Sequence, residues 1–105
     1  MTEFIVILVT AADRQEAETM VDTLVRDRLV ACGSIVGGVR SLFHWQGKID
    51  QADEHLIVMK GRSEQFGKIE QRIRELHSYE VPEIIALPLV AGSAPYLNWL
   101  REETA

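Results

Sequence analysis

The segment His77-Ser78-Tyr79-Glu80-Val81-Pro82-Glu83 gathers an imidazole, a phenol and two carboxylates just ahead of the apolar run Ile84-Ile85-Ala86-Leu87-Pro88. Polar groups where a loop enters a strand are held by the scaffold yet reach solvent, which is where binding and catalytic groups collect. Pro82 and Pro88 stiffen the segment, because each proline fixes its own φ and biases the preceding residue toward extended geometry. Imidazole, thiolate and carboxylate are the donors that suit copper or zinc. Cys32, His77, Glu80 and Glu83 are therefore the candidate metal ligands. They show no CxxC, HxxxH or HExxH spacing, so a complete shell has to assemble in space. Symmetry between subunits of an oligomer would supply several copies of one ligand. His44 and His55 read as exposed strand residues.

The same loop supports a second chemistry. Lys60, Tyr79 and Glu83, with Arg40 and Trp45, can line a cleft between subunits that takes a small anionic metabolite. The bland alternative is a set of hydrogen bonds that only fixes an interface. Metal binding should weaken as an imidazole ligand protonates, whereas an anion site built on Lys60 should not. Catalysis is not expected. There is no Walker-type glycine loop and no nucleophile elbow, and Cys32 has no evident histidine partner in sequence. His77 with Glu80 or Glu83 would do acid–base work only if their side chains converged.

Bulk properties narrow the partners. The 105 residues predict a single domain spanning 1–105, and 47% hydrophobic with 26% charged residues is ordinary for a soluble protein. A net charge of −5 and a pI near 5.1 argue against nucleic acid or an anionic membrane as partner, since both need a basic face. One cysteine permits no disulfide within the chain, which fits a reducing compartment. The start Met1-Thr2-Glu3 lacks a basic n-region, and no apolar stretch approaches the roughly 20 residues that span a bilayer. A cytoplasmic location is expected.

The elements that must position these groups follow from periodicity. Residues 4–9 are continuously apolar and β-branched, as in a strand buried on both faces. Asp13 offers an N-cap with Glu16 completing a capping box, and Ala17, Met20, Val21, Leu24, Val25 and Leu29 follow at helical spacing. Extended pieces are predicted at 32–36 and 39–45, separated by Gly37-Gly38. A turn is predicted at Gln46-Gly47-Lys48, with a further strand at 56–59. Ser63 should cap a second helix carrying Phe66, Ile69, Ile73 and Leu76. A last strand is predicted over 84–90, and Ser93 should cap a short terminal helix with Pro95 in its first turn. Tyr96 and Trp99 share one face of that helix, as packing residues do.

This order is the βαββαβ pattern of a ferredoxin-like α+β sandwich, with an extra short C-terminal helix. Both main helices of that fold cover one face of the sheet, yet the strands here are apolar on both faces. A lone subunit would expose more contiguous apolar surface than the few hundred Å2 usual for soluble monomers. A homo-oligomer is expected, formed in part by edge strands of the 39–60 hairpin.

The residues also carry a resemblance that covers essentially the whole chain. Leu8-Val9-Thr10-Ala11, Arg28-Leu29-Val30-Ala31-Cys32, Val39-Arg40-Ser41-Leu42-Phe43, Trp45-Gln46-Gly47-Lys48-Ile49, Lys60, Leu76 to Ile84 and Tyr96-Leu97-Asn98-Trp99-Leu100 resemble the CutA-type divalent-cation-tolerance family. The resemblance implies a ferredoxin-like homotrimer, similar in architecture to the PII signalling proteins. It implies a response to divalent metal ions such as copper, and a binding or signalling role with a protein partner not specified by sequence. No organic cofactor is implied. Ser34, Phe43, His44 and Ser78 depart from the residues usual in relatives, and Val9 and Leu76 stand where some members carry additional Cys or His.

Overall fold

The computed structural model describes residues 2–104. The first apolar run forms β1 (Phe4–Ala11). Its side chains alternate, so Ile5, Ile7, Val9 and Ala11 are buried on one face while Val6, Leu8 and Thr10 are half-buried on the other. Helix α1 (Arg14–Arg26) follows, and Asp13 caps it by accepting the Glu16 N–H at 2.8 Å. The second half of the expected capping box does not form. Glu16 instead accepts from the Ser78 N–H at 2.8 Å and the Ser78 hydroxyl, which ties the first turn of α1 to the loop after the second helix. The helix also stops short of Leu29, because Arg28 takes a left-handed φ of 57°.

The two short extended pieces are one strand, β2 (Val30–Trp45), interrupted only by register shifts between Val30 and Cys32 and between Val36 and Val39. Gly38, with φ +72°, supplies the backbone that such a bulge requires. Strand β3 is likewise longer than expected, Lys48–Arg62, because the polar stretch before Leu56 finds its hydrogen-bond partners on β2. Gln46 and Gly47, both at positive φ, close the hairpin as a two-residue turn whose twist matches the strands.

A 3-10 turn at Ser63–Gln65 precedes α2 (Phe66–Leu76). Ser63 does not cap it, since its hydroxyl donates to the Thr2 carbonyl at 2.7 Å. Strand β4 is Ile84–Pro88, two residues shorter than the apolar run suggested, and α3 is Ala94–Glu103. Ser93 precedes α3 without a side-chain cap bond, while its carbonyl accepts from the Leu97 N–H at 3.0 Å.

The sheet order is β2-β3-β1-β4 with every pair antiparallel, which is the ferredoxin-like arrangement. Helices α1 and α2 lie on one face, where Ala17, Met20, Leu24, Ile69 and Ile73 close a core with Ile7, Val9, Ile57 and Met59. On the other face α3 covers only one end, with Tyr96 reaching Cys32 and Lys60. The rest of that face presents Val6, Leu8, Leu56 and Val58 beside Ile85 and Leu87, and the last two are nearly half exposed.

Strand β1 pairs with β3 only from His55 to Arg62. Residues 48–54 therefore pair with β2 alone among the described residues, and the hairpin projects as an arm from a molecule 45 Å long and about 25 Å thick. Its Leu42 and Ile49 are 64% and 63% exposed. A two-stranded ribbon is marginally stable in water by itself, so this arm calls for a surface to lie on.

Candidate functional site

The loop between α2 and β4 is anchored by His77. This residue ends α2, donating its backbone N–H to the Ile73 carbonyl, and its side chain is fully buried. Its Nε2 lies 2.7 Å from the Thr10 carbonyl, which can only accept, so Nε2 carries the hydrogen. Its Nδ1 accepts the Tyr79 backbone N–H at 3.0 Å, with Glu16 Oε1 3.3 Å away. Both ring nitrogens are thus committed to holding β1 against the loop. The ring also lies 4.7 Å from the Tyr79 ring.

Tyr79 carries the connection onward. Its hydroxyl donates to Glu54 Oε2 at 2.7 Å, and Glu54 is 5% exposed although it sits on the polar stretch of β3. Burial, and then the bond to Glu54 and the nearby carboxylates, raises the Tyr79 phenol well above its ordinary value of 10.0. A raised phenol binds its proton more tightly in the folded state. Its contribution to stability is complete below pH 10 and is lost as pH climbs from there toward the folded-state value. Tyr79→Phe should therefore lower stability by about 1–3 kcal/mol at neutral pH, by leaving the buried Glu54 without its donor. It should also remove part of the wild-type fall in stability above pH 10. Guanidinium midpoints measured from pH 7 to 11 for both proteins check this, and parallel curves would refute it.

Beyond this network, the arm and the loop enclose a cavity of about 900 Å3. Thr10, Arg40, Phe43, Trp45, Asp50 and Glu54 line it from the strands, and Tyr79, Glu80, Pro82 and Glu83 close it from the loop. One guanidinium, Arg40, faces four carboxylates there, and Arg40 is itself hydrogen-bonded to Gln51. The space is acidic and partly aromatic.

Of the residues read from sequence as a small-ligand set, Arg40, Trp45, Tyr79 and Glu83 come together in this cavity. Lys60 does not. It pairs with the Tyr96 hydroxyl at 3.1 Å on the far part of the sheet, and that bond raises its pKa and holds it charged. The four candidate metal ligands separate as well. Glu80 and Glu83 line the cavity, His77 is buried behind it, and Cys32 lies across from Lys60 with its Sγ 3.6 Å from the Tyr96 hydroxyl. Among the described residues no three His, Cys, Asp or Glu side chains converge to hold a metal ion. His44 is exposed, as expected, and joins the cavity wall, whereas the Nδ1 of His55, expected to be exposed, is buried without a hydrogen-bond partner among the described residues.

Sequence reasoning missed Glu54, Asp50 and Phe43. A signal existed for Asp50, since a two-residue turn at Gln46-Gly47 fixes Phe43 opposite Asp50. None marked Glu54, whose burial depends on Tyr79 arriving from 25 residues away.

The class defined by this fold is a small α+β protein: a ferredoxin-like sheet drawn out into a hairpin arm, with an acidic cavity at the arm. Residues 5–103 match the family described as CutA1 divalent ion tolerance protein. The divalent-cation tolerance protein CutA of Thermus thermophilus is 42% identical over 99 residues, 94% of this chain and 96% of that relative. A solved structure of the Thermus thermophilus divalent cation tolerance protein superposes with a TM-score of 0.95 at 41% identity, covering 97% of this chain and 99% of that one. CutA from Xylella fastidiosa gives 0.96 at 32% identity, covering 99% and 100%. The chain belongs to the CutA1 divalent ion tolerance family.

Proposed function

We propose that this protein is a cation-binding module in divalent-metal tolerance, working as a homotrimer and passing its state to a protein partner. The observation that carries the reading is the charge of the cavity, in which four carboxylates face one guanidinium. Low-dielectric walls focus the field of such a cleft and concentrate cations in it. Glu80 and Glu83 are the metal ligands of choice, because both are exposed on the loop and both line the cavity. Each subunit then contributes one or two oxygens to copper or zinc, and water or a neighbouring subunit completes the shell. An anionic metabolite in the same place is the weaker reading, because Lys60, the cation meant to hold it, lies outside the cavity.

Calorimetric titration of metal-free protein with Cu(II) and Zn(II) tests the proposal. Saturable binding with a fixed stoichiometry per trimer is expected, and it should weaken about tenfold or more when both Glu80→Gln and Glu83→Gln are introduced. Binding that is absent, or unchanged in the double variant, would overturn it.

A further inference from the structure

The cavity is much larger than a bare ion needs, and its walls are not only acidic. About 900 Å3 falls in the size range of small-molecule sites, roughly 300–1,000 Å3. Phe43 and Trp45 are 39% and 44% exposed. Among the described residues neither ring stacks on another ring or lies under a cation. Glu54 is the third observation. It is only 5% exposed, its Oε2 alone is hydrogen-bonded, and no Arg, Lys or His pairs with it among the described residues. Its Oε1 is left free to accept from a cation entering the cavity, where a charge-assisted hydrogen bond is stronger than a neutral one.

We propose that the cavity binds a linear aliphatic polyamine, a chain of ammonium groups separated by methylenes. The proposal rests on the reading that this cavity selects cations, and it names the class of cation. One terminal ammonium reaches the buried Glu54 beside the Tyr79 hydroxyl. The methylenes and the next ammonium lie against the Trp45 and Phe43 faces, which attract cations through the ring quadrupole. Glu80 and Glu83 at the loop take the remaining charge. Four carboxylates against one guanidinium leave a formal excess of three negative charges in the lining, which matches a triamine better than a monovalent ammonium. A bare metal ion would leave the aromatic faces unused and finds no three converging donors among the described residues.

The test is calorimetry of the metal-free trimer with spermidine, with tetramethylammonium chloride and with Zn(II), at low and moderate NaCl. Spermidine should bind saturably, more tightly than tetramethylammonium, and weaken as salt screens the charges. Trp45→Leu should weaken spermidine about five- to tenfold, and by more than it weakens Zn(II). Glu54→Gln should weaken spermidine about tenfold or more. Should Glu54→Gln fail to fold, the exposed pair Glu80→Gln with Glu83→Gln provides the acidic arm of the test. Zn(II) binding without spermidine binding overturns the polyamine and leaves the cation reading standing, whereas loss of both overturns the cation reading itself. Spermidine affinity indifferent to Trp45→Leu and to the carboxylate variants would mean diffuse attraction to an acidic surface, and would also overturn the proposal.

Discussion

His77→Ala should destabilise the protein by roughly 3–5 kcal/mol while leaving cation binding by the folded protein within about twofold of wild type. The side chain is 0% exposed and joins β1 to the loop through the Thr10 carbonyl and the Tyr79 N–H. Truncation takes the ring partner from the part-buried Thr10 carbonyl and Tyr79 N–H, each worth about 1–3 kcal/mol at most, and opens a void where the ring stood. His77→Gln keeps a donor in reach of Thr10 and should cost less than alanine. Denaturant midpoints of metal-free protein measure the first effect, and Zn(II) calorimetry below the unfolding range measures the second. An alanine variant as stable as wild type would contradict the anchoring role. A folded alanine variant that no longer bound Zn(II) would return His77 to the set of metal ligands.

The contrast between His77 as expected and His77 as found shows what a sequence can disclose about a site. Spacing put the imidazole beside Tyr79, Glu80 and Glu83, and that neighbourhood holds. What spacing lacks is direction. The ring turns inward because Thr10 on β1 offers an acceptor and Tyr79 offers a donor, and both facts belong to the packed chain. Glu16 is similar, since local pattern assigned it to the N-terminus of its own helix and Ser78 claimed it from a distance. The strand order was legible because periods of two and of about 3.6 are local properties of the chain. The length of the hairpin was not. Gly37-Gly38 breaks the pattern of β2 and residues 48–54 of β3 are polar, so there local pattern resembles a loop, and only cross-strand pairing makes it a strand. Lys60 fell outside the cavity for a related reason. It lies six residues along β3 from Glu54, about 20 Å at the usual rise, and faces α3 rather than the loop.

Ile85→Lys combined with Leu87→Lys should break the assembly. In the isolated chain these side chains are 46% and 47% exposed on the sheet face opposite α1 and α2, next to Leu8 and Val6. Apolar surface removed from water contributes about 25 cal/mol per Å2 before the cost of association, so a face of several hundred Å2 is a strong gross driving force. The hairpin arm adds to it, because exposed Leu42 and Ile49 on a two-stranded ribbon need a neighbour to lie against. A lysine placed in that contact must be desolvated without a partner, and the three-fold symmetry of the proposed trimer would repeat the penalty in each subunit. Sedimentation over a dilution series should give a trimer for wild type and for Gln71→Lys, which alters the solvent face of α2. The double variant should sediment as a monomer or unfold at far lower denaturant. A wild-type protein that sediments as a folded monomer at micromolar concentration would remove the basis for the trimer. A lysine pair that leaves the mass unchanged would move the interface to another face. Coupling follows where the lysine pair breaks the trimer, because the arm that borders the cavity is the element that assembly would hold in place. Cation affinity should then fall together with the trimer, and a monomer that binds Zn(II) as tightly as the wild-type assembly would show the cavity to be complete within one chain.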